Sequence, residues 1–193
     1  QDAAIRSAFE KIILEQQAGN TARVLLTLAT GAGKTIIATN LLWRMAQAGL
    51  LPKPALFLCD RDELREQAYT KLKAAFGGNA RIVETVRGQN AAANARIHIA
   101  TYQTLGIDEN GDGSFLTDHY GEDAFSVIII DECHRSQFGD MHTAIIKKFK
   151  RYHLFGFTGT PIFPVNAGAG GKFDLKTTEQ AFGKQLHIYT IVD

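Results

Sequence analysis

Apolar residues recur along the chain in two alternating patterns, short continuous runs and stretches with helical spacing. The continuous runs, which predict buried strands, cover residues 23–28, 55–59, 81–86, 97–101, 125–130, 152–157 and 186–192. Apolar residues with helical spacing predict an amphipathic helix over 4–13 and further helices that start near Lys34, Asp60, Asp140 and Thr177. Strands that alternate with helices predict an α/β fold, with a mainly parallel central sheet and helices on both faces.

The helical spacing also predicts which side chains face the core. In the two helices after Lys34 and Asp140, the residues expected to point inward are Ile37, Leu41, Leu42, Met45, Ile145, Ile146 and Phe149.

The stretch TLATGAGKT, which ends at Thr35, has the features of a phosphate-binding loop. It lies between a predicted strand and a run that favours a helix, which is the context such a loop requires. Gly31 and Gly33 allow the backbone to approach phosphate oxygens, and the following helix offers free N–H donors and the positive end of its dipole. Lys34 can reach the β- and γ-phosphates, and the hydroxyl of Thr35 suits a Mg²⁺ ligand.

A second stretch favours a nucleotide site over a plain glycine-rich turn beside a surface lysine. That simpler interpretation stays open for the loop alone, because the full motif GxxxxGKT has glycine where this chain has Leu28. The apolar run 125–130, however, ends in Asp131 and Glu132. A carboxylate at the carboxyl end of a central strand lies where open α/β sheets bind ligands. Asp131 there can hold Mg²⁺ through water, and Glu132 can orient or deprotonate an attacking water molecule.

Composition narrows the class of protein without naming a ligand. With 193 residues, 45% hydrophobic and 21% charged, the chain suits one soluble globular domain. The net charge of +1 means that any surface for nucleic acid must be local. Cys59 and Cys133 have no metal or disulfide spacing, which predicts buried thiols in a reducing compartment. No apolar run suits a membrane span, and the chain opens without methionine inside a predicted helix, as expected of a segment of a longer protein.

The segment 106–122 is polar and rich in glycine, which predicts an excursion from the core. Its part from Asp108 to Gly113 resembles the first half of a calcium loop, but His119 occupies the position of the bidentate glutamate. A polar surface turn is therefore predicted there. The cations from Lys147 to Arg151 fit either phosphate contacts or ordinary partners of a helix dipole.

The ordered motifs ATGAGKT, DECHR and FTGTP resemble motifs I, II and III of the superfamily 2 helicases and translocases. The flanking segments FLCDRDELREQA, ATYQTL, DECHRSQFGD, FGFTGTPIF and AFGKQLHIYTIVD resemble the motor subunit of type I restriction–modification enzymes. The resemblance covers nearly the whole chain. It implies a RecA-like P-loop NTPase domain in a prokaryotic cytoplasm, which hydrolyses ATP with Mg²⁺ and moves double-stranded DNA. It also implies modification and specificity subunits as partners, and a nuclease domain that cleaves the DNA.

The resemblance assigns roles to individual residues. The residues expected to bind ATP are Gln1, which would read the adenine edge, and Thr30, Gly31, Ala32, Gly33, Lys34 and Thr35. Thr35 and Asp131 would bind the metal, and the catalytic group would be Lys34, Asp131 and Glu132. The residues expected to contact the DNA backbone are Arg61, Thr101 and Gln103, and those expected to couple the two sites are Thr158 and Thr160. For Arg61, Thr101 and Gln103, ordinary capping of strand ends remains the alternative.

The set of motifs also indicates how much of a helicase motor this sequence contains. Motifs IV to VI, which in this superfamily lie on a second RecA-like domain and carry an arginine finger, are absent from the sequence. We therefore predict a first motor domain over residues 1–181 and the start of a connection over 182–193. Alternative functions are a repair or remodelling helicase, a nucleotide-dependent binding module without turnover, and a small-molecule kinase. Glu132 argues against a pure binding module, and FTGTP is unexplained in a kinase.

Overall fold

The structure, a computed structural model, describes residues 2–28, 33–107, 114–131, 138–159 and 187–191. In chain order its strands are β1 (Arg23–Leu28), β2 (Ala55–Cys59), β3 (Ala80–Ile82), β4 (Thr85–Val86), β5 (Gln89–Asn90), β6 (Ile97–Thr101), β7 (Val127–Ile130), β8 (His153–Thr158) and β9 (His187–Ile191). Its helices are α1 (Asp2–Gln17), α2 (Lys34–Gln47), α3 (Asp62–Phe76), α4 (Ser114–His119) and α5 (Phe138–Lys148), and a 3₁₀ turn follows α3 at Gly77–Asn79.

Seven of the strands form one sheet in the order β3-β6-β2-β7-β8-β1-β9, and each neighbouring pair is parallel. The chain moves outward from β1 to β2 and β6, and it then returns to place β7 and β8 between β2 and β1. Because all these strands run the same way, their carboxyl ends share one edge of the sheet. The prediction of a mainly parallel α/β fold is confirmed.

Both faces of the sheet are covered by apolar side chains, and alternate strand residues contribute to each face. On one face, Val24, Leu26 and Phe57 pack with residues of α1, α2 and α3. On the other face, Leu56 and Ile128 pack with residues of α4, α5 and the loops around them. This two-sided burial explains why the strands have continuous apolar runs rather than alternating ones.

The inward faces of the helices are confirmed with one exception. In α2, the four predicted side chains Ile37, Leu41, Leu42 and Met45 are fully buried. In α5, Ile145 and Phe149 are buried, whereas Ile146 is 50% exposed and its predicted inward position is wrong. Consecutive helical residues point about 100° apart, so Ile146 cannot share the stripe of Ile145 and Phe149.

The predicted strand over 81–86 is two elements. Only β3 joins the main sheet, and Val83 extends it by donating its N–H to the carbonyl of Ile99 at 2.8 Å. The chain then leaves the sheet, and β4 and β5 form a small antiparallel hairpin. Its two-residue turn, Arg87-Gly88, has φ values of 52° and 78°, as the hairpin twist requires.

Other predicted features lie outside the described residues or remain predictions. The strand at 186–192 is present as β9, which pairs with β1, and the domain boundary at residue 182 stays a prediction. Three predicted features lie outside the described residues: the first half of the calcium-like loop, Cys133 and the helix expected near Thr177. His119, by contrast, lies in α4.

Cys59 is fully buried, as predicted, and burial raises the pKa of its thiol well above the usual value. Among the described helices, none is both long and apolar enough to cross a membrane.

Candidate functional site

The carboxyl edge of the sheet brings the predicted nucleotide residues close together. In the sheet order, β8 lies between β7 and β1, and their registers pair Ile130 with Gly156 and Thr27 with Thr158. Neighbouring strands are about 4.8 Å apart, so the ends of β1 and β7 are separated by roughly 10 Å. A triphosphate and its metal ion can span that distance.

Gly33 is the N-cap residue of α2, the helix that follows β1. Gly33 has φ 77° and ψ 33°, a left-handed conformation that favours glycine. Its carbonyl accepts the N–H groups of Ile36 at 2.8 Å and Ile37 at 3.0 Å, and no side chain caps this helix end. Lys34 and Thr35 are half-buried in the first turn. A helix start of this kind suits the binding of an anion, because the first N–H groups of a helix have no partner within the helix.

Asp131 is held in place by the sheet itself. Its N–H donates to the carbonyl of Leu58 at 2.9 Å, which continues the ladder between β2 and β7 by one residue. The residue is 8% exposed, so its carboxylate lies at the bottom of the crevice rather than in open solvent. Burial is the main cause of the raised pKa of the Cys59 thiol, and the negative charge of Asp131 is the second cause. The two strand ends are therefore close together.

Thr35 and Asp131 offer a hydroxyl and a carboxylate, which are suitable ligands for Mg²⁺. Within the described ranges, no three His, Cys, Asp or Glu side chains form a group that could enclose a metal ion. This is compatible with Mg²⁺, since that ion keeps several waters and is usually held by one or two carboxylates plus substrate phosphates. The donor set therefore fits magnesium carried in with a nucleotide.

The predicted DNA-contact residues follow the neighbouring strands at the same edge, with different exposure. Arg61 follows β2 with a 58% exposed side chain, 3.3 Å from the carboxylate of Asp60. Gln103 is exposed in the turn after β6, but Thr101 is 1% exposed. The Thr101 hydroxyl lies 2.9 Å from that of Thr104 and accepts the N–H of Thr104. Thr101 therefore caps its turn, which favours the capping alternative there, while Arg61 and Gln103 remain accessible.

Several predicted site residues fall in parts of the chain that the structure does not describe. They are Gln1, Thr30, Gly31, Ala32, Glu132 and Thr160, and their roles stay predictions. Thr158, by contrast, is fully buried at the end of β8, between the two halves of the site.

Asp60 is a candidate site residue that the sequence analysis does not single out, since it predicts a helix that starts there. The helix begins two residues later, and Asp60 lies at the strand end with an 11% exposed carboxylate beside Arg61. It also contributes to the raised pKa of Cys59. Its position directly after an apolar strand was the available signal.

A family model described as "Type III restriction enzyme, res subunit" matches residues 1–163. The chain belongs to this family. The chain is 36% identical over 181 residues to the type I restriction enzyme endonuclease subunit of Staphylococcus aureus strain COL, across 92% of this chain and 18% of that protein. It is 32% identical to the EcoAI endonuclease subunit of Escherichia coli, across 88% of this chain and 19% of that protein. The resemblance stated from the motifs is thereby confirmed.

The fold of this member of the res-subunit family is similar to that of helicase domains of known structure. The helicase domain of Hef from Pyrococcus furiosus superposes with a TM-score of 0.63 at 18% identity, covering 96% of this chain and 38% of that one. At that identity the match supports the RecA-like fold alone. The chain spans about a fifth of the length of its restriction-enzyme relatives, so the activity of a whole enzyme is a proposal.

Proposed function

We propose that this chain is the ATP-binding first motor domain of a type I restriction enzyme. The observation that carries the proposal is the placement of Lys34 and Thr35 at the start of α2 and of the buried Asp131 at the end of β7, two strands away. These residues would form the two halves of the proposed nucleotide site, and they lie at one edge of the sheet although they are about a hundred residues apart in the chain. The ligands proposed are ATP and Mg²⁺.

The chemistry of each side chain suggests its proposed role in binding and hydrolysing ATP. Lys34 and the first N–H groups of α2 bind the phosphates, and Thr35 and Asp131 hold the metal ion, which neutralises charge on the phosphate oxygens. Glu132 directly follows Asp131 in the sequence and is proposed to orient the attacking water. Because Asp131 is fixed by its bond to Leu58, the backbone that leads into Glu132 starts from a rigid position.

The reaction is proposed to drive movement along double-stranded DNA, coupled to cleavage by a nuclease domain in the same enzyme. The restriction-enzyme relatives support this over a repair or remodelling helicase, since they are 36% and 32% identical whereas the Hef helicase domain is 18% identical. Modification and specificity subunits are the proposed partners. The cytoplasm of a prokaryote is the proposed location, in line with the bacterial origin of these relatives.

The proposal predicts that Lys34→Ala weakens ATP binding by about ten- to a hundredfold. The substitution removes one charge-assisted phosphate contact, worth about 1.5–3 kcal/mol. The measurement is a titration of the chain with a fluorescent ATP analogue in the presence of Mg²⁺. Lys73→Ala is the matched control, because it removes an equally charged side chain from the last turn of α3, at the opposite end of the helix layer. Equal affinities for Lys34→Ala and Lys73→Ala would reject the nucleotide site.

A second expected result concerns DNA. In the complete motor, Arg61→Ala should weaken DNA binding uniformly across sequences and lower the slope of log affinity against log salt by about one unit. The guanidinium of Arg61 is exposed and forms an ion pair with the neighbouring Asp60, so it can contact a backbone phosphate without disturbing core packing.

The matched control for Arg61 is Arg81→Ala, since Arg81 is also exposed but lies on β3 at the level of Leu56, near the amino end of β2 rather than at the carboxyl edge. Binding would be measured by fluorescence anisotropy with duplexes of two unrelated sequences at several salt concentrations. A loss confined to one sequence, or an equal loss in Arg81→Ala, contradicts a backbone contact at Arg61.

A further inference from the structure

A cavity of about 260 Å³ opens at the amino edge of the sheet, opposite the nucleotide site. Its walls come from the chain between α1 and β1, from the loop before β2, and from the starts of β7 and β8. The polar side chains that line it belong to Gln16, Asn20, Thr21, Ser126, Arg151 and His153. Neither the proposed ATP site nor the proposed DNA contacts use any of these residues.

His153 presents a hydrogen-bond donor whose identity is fixed by the backbone. The N–H of Ala22 donates to Nδ1 of His153 at 2.9 Å, so Nδ1 is the acceptor and the proton of the neutral ring is on Nε2. Burial lowers the pKa of His153 to about 4, and the charge of Arg23 adds to this effect, so the ring is neutral at physiological pH. Only 6% of the residue is exposed. Within the described residues, Nε2–H has no acceptor.

Ser126 is a second donor of the same kind. Its Oγ accepts the N–H of Lys53 at 2.9 Å, which leaves the hydroxyl hydrogen to be donated elsewhere. Ser126 is 9% exposed and lines the same cavity as His153. Two nearly buried donors therefore border one space, and a group rich in acceptor atoms would satisfy both.

Arg151 adds a cation to this wall, and its backbone is in an unfavourable conformation. Its φ is 57°, in the left-handed region that side chains other than glycine and asparagine rarely adopt. The positive φ of Arg87 is explained by the tight turn of the β4–β5 hairpin, whereas Arg151 lies in the connection from α5 to β8. Residues held in such conformations are often found at functional sites.

The surrounding charges favour an anion on balance. The guanidinium of Arg23, which donates to the carbonyl of Tyr152 at 2.6 Å and lies over its ring, is close enough to affect His153. The carboxylate of Glu15 also acts on His153 with the opposite sign, but Glu15 is engaged by Lys11 and by the side chain of Asn20.

We propose that this cavity is a binding site for a small oxyanion, a carboxylate or a phosphate monoester, held by Arg151, the Nε2–H of His153 and the hydroxyl of Ser126. Two neutral donors and one cation line one cavity, with Ser126 placed just before β7 and both Arg151 and His153 placed where the chain enters β8. This arrangement suits the oxygen atoms of an anion, which accept charge-assisted hydrogen bonds. The site is independent of the proposed ATP site, since it lies at the other edge of the sheet.

The test is a titration of the whole chain, carrying Lys34→Ala so that the nucleotide loop does not contribute, with inorganic phosphate and separately with acetate. Chloride at matched ionic strength is the reference. The readouts are the NMR signals of His153 Nε2–H and of the backbone amides of residues 151–153. We expect saturable shifts with at least one of the two anions. Tighter binding of phosphate would indicate a phosphate monoester as the ligand class, and tighter binding of acetate would indicate a carboxylate.

Two variants test the named side chains, and a third is the control. Arg151→Asn tolerates the positive φ but lacks the guanidinium, and His153→Asn keeps an acceptor for the Ala22 N–H but lacks Nε2–H. Each should weaken anion binding by tenfold or more. Lys147→Ala removes an exposed cation nearby that does not line the cavity, and it should change the affinity less than twofold. The proposal is overturned by shifts that do not saturate, by unchanged affinity in Arg151→Asn, or by an equal loss in Lys147→Ala.

Discussion

The 193-residue chain by itself is expected to bind ATP but to hydrolyse it about 10³–10⁵-fold more slowly than a complete motor. Lys34, Thr35 and Asp131 are proposed to supply the phosphate and metal contacts, and Glu132 is proposed to orient the water. Charge that develops on the γ-phosphoryl group also needs an arginine, which the resemblance assigns to a second RecA-like domain. An arginine finger worth that factor in rate contributes about 4–7 kcal/mol of transition-state stabilisation.

The decisive measurement is phosphate release by the purified chain, with and without duplex DNA. We expect a rate close to background and no stimulation, because DNA in such motors is gripped by both domains. Glu132→Gln tests the proposed water-orienting group, and Glu122→Gln is its control. Glu122 has an exposed ion pair with Lys150 on the far side of the domain. Rapid DNA-stimulated turnover that is lost in Glu132→Gln but not in Glu122→Gln would refute the requirement for a second domain.

The second large effect is a loss of stability between pH 7 and pH 5, caused by two buried histidines. Burial lowers the pKa of both His98 and His153 to about 4, against 6.5 in an unfolded chain. Below pH 6.5 the unfolded state therefore binds protons that the folded state does not, so stability is complete above pH 6.5 and falls as the pH drops toward 4. At pH 5 the loss is about 2 kcal/mol for each histidine.

The hydrogen bonds of His98 explain why protonation is unfavourable there. Nε2 lies 3.0 Å from the carbonyl of Ala95 and must donate to it, so Nδ1 accepts from the hydroxyl of Tyr120 at 2.8 Å. That hydroxyl in turn accepts from the amide of Asn90 at 2.9 Å. A proton on Nδ1 would reverse the bond to Tyr120 and leave its hydroxyl hydrogen without an acceptor in this buried network.

Urea unfolding at several pH values between 5 and 7.5 measures this effect, and most carboxylates stay ionised over that range. His98→Asn keeps an acceptor for Tyr120 but removes the titrating ring, so its stability should depend on pH about half as steeply as that of the unaltered chain. His153→Asn should behave in the same way. A slope that is the same in both variants as in the unaltered chain would show that the acid sensitivity has another origin.

The elements that sequence patterns predicted best are the strands buried on both faces. The bounds of β1, β2 and β6 agree with their runs, because strands buried on both faces consist mainly of apolar residues. The run 81–86 was predicted less well, since its second half leaves the main sheet for a hairpin whose turn is Arg-Gly rather than a common Asn-Gly or Asp-Gly pair. Local composition does not say which strand a residue will pair with.

The same holds for the candidate sites: residues in local sequence motifs were predicted, whereas contacts between residues far apart in the chain were not. The loop before α2 and the acids after β7 have recognisable sequence patterns, and the parallel sheet brings them to one edge. The hydrogen bond between Ala22 and His153 joins residues 131 positions apart, and neither segment has a sequence pattern that predicts it. The donors at the amino edge of the sheet were therefore visible only once the tertiary contacts were known.

The position of β1 in the sheet has a consequence for how the protein is made. Among the described strands, β1 pairs only with β8 and β9, which begin 130 and more residues later in the chain. A ribosome adds about 5–20 residues per second, so the nascent β1 waits on the order of ten seconds for its first sheet neighbour. During that time its six residues, most of them apolar, are open to chaperones or to pairing with another nascent chain. The strand that leads into the proposed phosphate loop is therefore made before its sheet neighbours β8 and β9, so the proposed nucleotide site can be assembled only late in the synthesis of this domain.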